Sequence, residues 1–573
     1  MKSHLITAAL IAAGAFPALA ATPLSLSTDK ALYAPGDTVR FSASEPLKRG
    51  SSVTYRHGAD IVATVPVSGS SWKWLPPTAD YQGYLAEVTG PDKRQLATIA
   101  VDVSSDWKMF PRYGFVATFD ASKLHPGLID SEIDYLNRCH INGVQFQDWH
   151  WKHHRPLGGT PENPLAEYKD IALRTNNTEV IRRYIDASHR HGMKTIFYNL
   201  CLGALDDAAA DGVKEEWYLF TDPEHKNKDV FDLPDGWKSD IFFVDPANPG
   251  WLEYIGNRND EVYRTLPFDG YQIDQVGQRG VVYNYDGEIV DLATAYRRFI
   301  NAMKRRHPSK RLIMNAVASF GHEDIAGSGD IDFCYNETWA GESQFSDLRD
   351  IIAANDRHGR GQVKTVFASY MNYDKAGRQT GLMNTPGVIM TDAVMMALGG
   401  SHLELGDHML SREYFAAAPL AMTDTLKDAM VRYYDFMTAY QNLLRGSDTS
   451  DEITVNMTTS HPALQIAAWP PRKGSLTTYG RKSGDRHVIS LLNFLNAPDV
   501  SWRDLEGTWP APLKMRNIPV SVAIDGPVTR VWTASPDRNG GVPEDLQFSV
   551  TDGGARVNFT LPALEYWDMI VIE

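Results

Sequence analysis

The chain has 573 residues, more than one compact core usually holds, so its length predicts two or three domains. Its formal net charge of -15 opposes contact with nucleic-acid phosphates and anionic lipid surfaces, so neither nucleic acid nor membrane is expected as a partner. The composition is that of an ordinary globular protein and fits an uncharged substrate better.

The first residues have the features of a secretory signal. Residues 1–20 contain one basic residue, an apolar centre too short for a stable membrane anchor, and a small-residue ending, Ala18-Leu19-Ala20. We expect cleavage near Ala20 and export to the periplasm or the medium.

The chain has three cysteines, Cys139, Cys201 and Cys334, which are too few to form a disulfide framework in an exported protein of this size. We therefore expect each of them to be a small buried residue.

Two regions have the sequence pattern of antiparallel β-domains. In residues 21–106, short runs of alternating apolar residues are broken by Pro-Gly and Gly-Ser turns, and no helical period is visible. The same sequence pattern recurs after residue 447, in runs such as RHVISLLNF and MIVIE. We therefore predict one β-sandwich over residues 21–106 and a second over residues 447–573.

The middle of the chain, residues 107–446, alternates strand-like and helix-like segments. The helix candidates are amphipathic and often end in basic residues plus Gly or Pro, as TEVIRRYIDASHRHG does at 178–192. Eight strand candidates over this length predict a (β/α)8 barrel, whose functional residues lie at the carboxyl ends of the strands. The candidates are residues 112–119, 143–151, 194–200, 269–276, 311–320, 332–339, 364–373 and 401–407.

Polar and aromatic side chains end several of these strands and predict a polar pocket with rings for stacking. Because side chains alternate along a strand, Gln272 and Asp274 share one face, and Glu337 and Trp339 share one face of the sixth strand. Acids from different strands can therefore meet in one pocket. The other candidate substrate-binding residues at or near strand ends are Asp148, Trp149, Tyr198, Asn199, Asn372, Tyr373 and Glu404.

Two carboxyl groups in one pocket suit the cleavage of an acetal. One protonates the departing oxygen, and the other acts at the anomeric carbon as nucleophile or base. Glu337 suits the acid, because an apolar wall and a second negative charge favour its protonated form, and Asp274 suits the nucleophile. A helix cap or an arginine partner is the alternative for any single acid. Strand position alone does not choose among Asp148, Asp274, Glu337 and Glu404.

Other candidate features are less informative. His150, His153 and His154 resemble a metal cluster, but the Trp and Lys between them favour a polar loop. Because the sequence contains no phosphate-binding glycine loop, GxSxG or HExxH, we expect no cofactor and no metal. Residues 201–248 predict a long loop rich in Asp, Trp and Phe, which either walls the substrate cleft or is a solvated insertion.

Six longer segments follow one another along the barrel region: FPRYGF (110–115), GVQFQDWHWKHHRP (143–156), FDGYQIDQVG (268–277), YNETW (335–339), GGSHLELGDHMLSREYF (399–415) and YYDFMTAYQNLLR (433–445). Together they resemble glycoside hydrolase family 66, which comprises endo-dextranases and cycloisomaltooligosaccharide glucanotransferases. The resemblance spans the barrel and its flanking β-regions.

The resemblance implies an immunoglobulin-like N-terminal domain, a catalytic (β/α)8 barrel and a C-terminal Greek-key domain that act on α-1,6-linked glucan with retention of configuration. It places the nucleophile on Asp274 and the acid/base on Glu337. Cyclising members generally carry a carbohydrate-binding module inserted in the barrel region, and residues 107–446 leave no room for one. We therefore expect hydrolysis of dextran rather than cyclisation. A glycan-binding protein built on an inactive barrel is the alternative from another class.

Overall fold

The computed structural model describes residues 24–417, 420–446 and 449–573. The predicted signal segment, residues 1–20, lies outside the described residues. Within them, every helix is too short or too polar to span a bilayer. The three cysteines are buried free thiols, as the sequence predicted.

Eight parallel strands form a nearly closed barrel in the middle of the chain, and each strand pairs with the next along the sequence. The gap between the first and last strands is bridged where the Phe115 N–H donates to the Leu405 carbonyl oxygen at 3.0 Å. All eight predicted strands are present. Barrel strands 1 to 8 are Tyr113–Val116, Gly143–Phe146, Lys194–Leu200, Gly270–Asp274, Arg311–Val317, Cys334–Thr338, Thr365–Ser369 and Ser401–His402.

Helices separate most of these strands, and local sequence signals set their ends. Asn177 and Asp291 cap the second and fourth helices by accepting from backbone N–H groups of the first turn. Three basic residues, Lys304, Arg305 and Arg306, end the fourth. In the described ranges, helices α1 to α10 are Leu128–Arg138, Thr178–Arg190, Pro249–Thr265, Leu292–Arg306, His322–Ala326, Phe345–His358, Tyr373–Arg378, Thr385–Ala397, Asp424–Ala439 and Gln441–Arg445.

Helix α8, which precedes barrel strand 8, is apolar on almost every side. Its sequence, TPGVIMTDAVMMA, has one charged residue, Asp392. Such a pattern is typical of a helix buried on all faces, and α8 packs between barrel strand 8 and helix α9. Asp392 is therefore carried into the interior of the protein.

Antiparallel sheets flank the barrel in sequence, where the alternating patterns predicted strands. Whether they form an immunoglobulin-like and a Greek-key domain, with boundaries at residues 107 and 447, stays a prediction. The sheet before the barrel contains Leu26–Thr28, Val39–His57, Asp60–Trp74, Gln82–Thr89 and Gln95–Val103. The seven-stranded sheet after it contains Thr449–Ile453, Ile466–Ala468, Leu476–Ser483, Arg486–Asn493, Val531–Ala534, Glu544–Asp545 and Trp567–Ile572. A four-stranded sheet contains Met457–Thr459, Met515–Ala523, Phe548–Thr551 and Arg556–Leu564.

The long segment after barrel strand 3 is an ordered structure with buried apolar residues, not a solvated insertion. It contains the three-stranded antiparallel sheet Gly203–Ala204, Val230–Phe231 and Ile241–Phe243. The buried Phe220 exchanges two backbone hydrogen bonds with Tyr283, in the loop that follows barrel strand 4. Arg279 of the same loop contacts Asp229 at 2.6 Å. The segment is thus fastened to the loop that begins directly after Asp274.

Two short two-stranded sheets occur elsewhere in the described residues. They are Glu167–Lys169 with Thr175–Asn177, and Gly381–Leu382 with Leu420–Ala421.

Candidate active site

Asp274 and Glu337 lie close together at the carboxyl ends of barrel strands 4 and 6. Asn315 of barrel strand 5 lies between them, and its Nδ2 donates to Asp274 Oδ1 at 2.8 Å and to Glu337 Oε2 at 2.7 Å. Because one nitrogen makes both bonds, the two carboxylate oxygens are no farther apart than the sum of these lengths. Both acids are partly accessible, whereas the other residues of their strands are buried.

A tyrosine holds the second oxygen of each carboxylate. Tyr198 of barrel strand 3 donates its hydroxyl to Asp274 Oδ2 at 2.7 Å. Tyr370, directly after barrel strand 7, donates to Glu337 Oε1 at 2.6 Å. All four carboxylate oxygens therefore accept a hydrogen bond from a neutral donor, which fixes both groups while the site is empty of substrate.

The surroundings give the two acids different roles. Burial raises the pKa of Glu337 to about 7, and the charge of Asp274 adds to this, while the Tyr370 and Asn315 hydrogen bonds oppose it. Burial also raises the pKa of Asp274, against the hydrogen bonds from Tyr198 and Asn315. An ionised Asp274 therefore favours the protonated form of Glu337. Glu337 then holds a proton near neutral pH, as a general acid requires.

The Tyr370 hydrogen bond predicts a change in pH dependence. The bond lowers the pKa of Glu337, so Tyr370→Phe should raise that pKa and move the upper limb of the kcat/KM profile to higher pH. We also expect kcat to fall by about 10-fold, since the acid loses a positioning contact. Tyr433→Phe, which removes a hydroxyl bonded to Asp537 at 2.9 Å, is the matched control and should leave the profile unchanged. An upper limb that stays in place or moves to lower pH contradicts the assignment of Glu337 as the acid.

Asp148 has one carboxyl oxygen without a partner among the protein atoms. It follows barrel strand 2 in a left-handed backbone conformation, with φ of 52°. Gln147 donates to its Oδ1 at 3.3 Å, but its buried Oδ2 has no partner among the protein atoms. Burial raises the pKa of Asp148 to about 7, with Arg174 opposing this and the charge of Asp274 adding to it. Because this oxygen is buried in the structure, the substrate contact of Asp148 stays a prediction.

Three other predicted contacts lie behind the cleft surface, each fully buried or nearly so. Gln272, beneath Asp274 on the inner face, accepts from the Tyr113 hydroxyl at 3.4 Å. Asn199 faces outward because its neighbour Tyr198 faces inward, and it donates to the His153 carbonyl oxygen at 2.8 Å. Trp149 donates to the Tyr198 carbonyl oxygen at 3.0 Å. In this structure they support the residues that line the cleft rather than reach a ligand.

Trp339 does line the cleft, on the side of Glu337. Its ring centroid lies 5.4 Å from that of Tyr370 and 6.2 Å from that of the predicted Tyr373, and the indole is partly accessible. The partly accessible rings of Trp339 and Tyr373 offer a surface on which a sugar can stack, and the buried Tyr370 ring packs behind them. The indole Nε1 has no partner among the protein atoms.

Asn372 and Glu404 are buried away from the carboxylate pair. Asn372 donates to the Asp504 carbonyl oxygen at 2.8 Å and accepts from the Asn384 N–H at 2.7 Å, which fastens the end of barrel strand 7 to the chain beyond the barrel. Glu404 accepts from the Tyr434 hydroxyl at 3.2 Å. The structure does not bring either side chain to the predicted substrate cleft.

Sequence reasoning missed several residues of the site. Asn315 and Tyr370 both lie inside predicted strands, and the isolated polar residue in the apolar run RLIMNAV was a usable signal for Asn315. A second aromatic surface had no local signal. There the rings of Trp237 and Tyr414 lie 5.0 Å apart, and the Arg174 guanidinium lies 5.0 Å from the Tyr414 ring.

The predicted histidine loop is buried rather than solvated. Asp211 accepts from His154 Nε2 at 3.0 Å and from Lys152 at 2.7 Å, and Lys152 also contacts Asp207 at 2.5 Å. Lys152 therefore contacts both aspartates beside His154, and Arg155 brings a second cation to Asp211 at 2.8 Å. In the described ranges, two groups bring metal-ligand atoms within 4.8 Å of one another: His154 with Asp207 and Asp211, and Asp392 with His402 and Glu404.

A parallel eight-stranded barrel with two facing acids at its strand ends is an arrangement typical of glycoside hydrolases. The model of glycosyl hydrolase family 66 matches residues 28–571. The chain belongs to that family, which confirms the family predicted from the sequence motifs.

Characterised relatives in this family have two activities. A cycloisomaltooligosaccharide glucanotransferase of Niallia circulans is 27% identical over 705 residues, covering 95% of this chain and 71% of the relative. A dextranase of Streptococcus salivarius is 23% identical over 605 residues, covering 91% of this chain and 72% of the relative. A solved cycloisomaltooligosaccharide glucanotransferase of Paenibacillus sp., in complex with cycloisomaltoheptaose, has a TM-score of 0.86 at 23% identity, covering 95% of this chain and 99% of that one. This structure has the same fold.

Proposed function

We propose that this protein is a secreted or periplasmic retaining endo-glycosidase that hydrolyses the α-1,6-glucosidic linkages of dextran to isomaltooligosaccharides. The observation that carries the proposal is the double hydrogen bond of Asn315. It keeps Asp274 Oδ1 and Glu337 Oε2 at most 5.5 Å apart, which is compatible with the separation of about 5–5.5 Å in retaining enzymes and below that of about 6.5–9.5 Å in inverting ones. Too little space is left between them for an attacking water.

The first chemical step follows from this geometry. An Asp274 oxygen attacks the anomeric carbon as the bond to the glycosidic oxygen breaks, and Glu337 gives its proton to that oxygen. The product is a β-glucosyl ester of Asp274 and a shortened glucan. Tyr198 and Asn315 hold the nucleophile in place before the attack.

The second step uses the change in charge. Once Asp274 is esterified, its negative charge is gone, and this removes one of the causes of the raised pKa of Glu337. The ionised Glu337 then takes a proton from water, whose oxygen attacks the anomeric carbon and releases Asp274 as a carboxylate. Two attacks on opposite faces return the α configuration.

The substrate class is supported by the relatives and by the cleft. The named relatives are a dextranase and glucanotransferases of isomaltooligosaccharides. The rings of Trp339 and Tyr373 and the unpartnered Asp148 Oδ2 suit an uncharged sugar chain, which needs stacking surfaces and hydroxyl partners.

A cyclising transglucosylase is the second candidate, because two of the curated relatives are cycloisomaltooligosaccharide glucanotransferases. Hydrolysis is favoured because this chain is shorter than the matching part of the first glucanotransferase relative. The alignment with the first of them spans 705 residues, more than the 573 of this chain, so that relative contains segments this chain lacks. Both candidates use the same glucosyl-enzyme, which is captured by water in one and by a sugar hydroxyl in the other.

The proposal predicts the anomer and the shape of the first products. Purified protein on dextran should release linear isomaltooligosaccharides, and proton NMR of the first minutes should show the new reducing end as the α-anomer. An initial β-anomer would exclude retention. Products that resist exo-acting glucosidases would identify rings and the cyclising activity. Glucan binding without cleavage would leave the glycan-binding alternative.

A further inference from the structure

A buried group of three ionisable side chains lies behind the acid side of the cleft. Asp392 of helix α8, His402 at the end of barrel strand 8, and Glu404 two residues later are 0%, 2% and 1% exposed. His402 Nδ1 lies 2.9 Å from Asp392 Oδ1 and 3.3 Å from Glu404 Oε2. His402 Nε2 lies 2.9 Å from the Ser369 carbonyl oxygen. None of the three reaches the cleft surface.

The contacts place a proton on His402 Nε2, because the Ser369 carbonyl oxygen only accepts hydrogen bonds. Nδ1 faces carboxyl oxygens on the other side of the ring, where it either donates to a carboxylate or accepts from a protonated acid. Burial lowers the pKa of His402, but the charge of Glu404 and the Asp392 hydrogen bond outweigh it and raise the pKa to about 10. Burial and the Glu404 charge raise the pKa of Asp392 well above its usual range.

The Ser369 carbonyl connects this group to the acid/base. Ser369 ends barrel strand 7, and the next residue, Tyr370, donates to Glu337 at 2.6 Å. The Ser369 hydroxyl lies 2.6 Å from that of Thr338, the residue after Glu337, and the two residues are partners in neighbouring strands. The peptide between Ser369 and Tyr370 is thus held by His402 on one side and leads directly to the Glu337 contact on the other.

We propose that His402 is a positioning residue: its ring, held by Asp392 and Glu404, donates from Nε2 to the Ser369 carbonyl oxygen and so fixes the Ser369–Tyr370 peptide and the hydrogen bond from Tyr370 to Glu337. This role rests on the proposed function, because it concerns the proton donor of that reaction. The Tyr434 hydroxyl of helix α9 completes the group: it lies 3.2 Å from Glu404 Oε1 and 3.1 Å from the His402 carbonyl oxygen, and its one proton serves either acceptor. A buried ion group contributes little net stability, since desolvation offsets the attraction, so the fixed geometry is its main effect.

Two substitutions of similar size test the roles of the two ring nitrogens of His402 separately. The amide nitrogen of His402→Gln can replace Nε2 as the donor to Ser369, whereas that of His402→Asn replaces only Nδ1. Both variants lose the charge. His402→Asn should lower kcat by about 10-fold or more with KM within about 2-fold, and His402→Gln should keep most of kcat. Equal losses in both variants, or no loss in either, overturn the role of the Ser369 contact.

A double-mutant cycle tests whether His402 acts through Tyr370. When Tyr370→Phe is already present, His402→Asn should cause little further loss of kcat, because the contact it positions is gone. Losses that multiply independently overturn the proposal. His307→Asn is the matched control, since His307 contacts Asp260 at 2.5 Å before barrel strand 5 begins and should leave kcat unchanged.

An NMR measurement on the wild-type protein tests the proposal without depending on whether a variant folds or on enzymatic turnover. In ¹⁵N-histidine-labelled wild-type protein, the ring whose signals are missing from His402→Gln should keep its Nε2 protonated from about pH 6 to about pH 9. A His402 ring whose Nε2 carries no proton at pH 7 overturns the contact with Ser369. Wild-type protein that cuts no glucan overturns the proposed function, whereas normal wild-type cleavage with unchanged His402→Asn kinetics overturns the positioning role alone.

Discussion

Asp274→Asn is expected to lower kcat on dextran by on the order of 10⁴-fold or more, because an amide cannot form the glucosyl ester. The side chain keeps its size, and the pocket made by Tyr198 and Asn315 keeps its shape. We therefore expect dextran to bind with nearly unchanged affinity while turnover is lost. Initial rates of reducing-sugar release, together with equilibrium binding of a short isomaltooligosaccharide, measure the two quantities separately.

Chemical rescue distinguishes a lost nucleophile from a disturbed site. In Asp274→Gly, azide can enter the vacated space and attack the anomeric carbon from the side that Asp274 occupied. With an α-glucosyl fluoride as substrate, the product should be the β-glucosyl azide, whose anomer NMR identifies. Formation of the α-azide, or wild-type activity in Asp274→Asn, would remove Asp274 from the nucleophile role.

The alternation of side chains accounts for what the sequence predicted well. In barrel strand 4 it places Gln272 and Asp274 on the inner face, and in barrel strand 6 it does the same for Glu337. Both strands have five residues, long enough for the period of two to be read from the sequence. That acids at the ends of barrel strands 4 and 6 can meet in one pocket could therefore be inferred without the structure, whereas the choice of Asp274 and Glu337 among the candidate acids came from the family resemblance.

The same reasoning failed where strands are short or the chain leaves the barrel. Barrel strand 8 contains only Ser401 and His402, so no period fixes the direction of Glu404, which turns into the interior. Asn372 follows barrel strand 7 with φ of 53°, and this left-handed turn sends its side chain towards Asp504. Such directions depend on packing against distant segments. The contact of Trp237 with Tyr414 likewise joins segments that are far apart in the sequence, so no local sequence pattern predicts it.

Glu337→Gln is expected to have an effect that depends on the leaving group. On dextran, where the departing sugar oxygen needs a proton, kcat should fall by about 10²–10⁴-fold. On an α-glucosyl fluoride the departing fluoride needs no proton, so the attack by Asp274 should proceed. Water then lacks its base, and the glucosyl-enzyme should accumulate. A rapid burst of fluoride followed by slow turnover, with the protein mass increased by the bound sugar, measures this directly.

The pH profile of the same variant gives an independent check. In the wild type the acid must be protonated, so activity should fall as pH rises through the raised pKa of Glu337, about 7. Glutamine does not titrate, so this upper limb should be absent from the residual activity of Glu337→Gln. Glu253→Gln, on the surface of helix α3, is the matched control and should keep both the rate and the limb. An upper limb that persists in Glu337→Gln would mean that another group delivers the proton, and the buried Asp148, whose pKa is also raised to about 7, would be the next acid to replace.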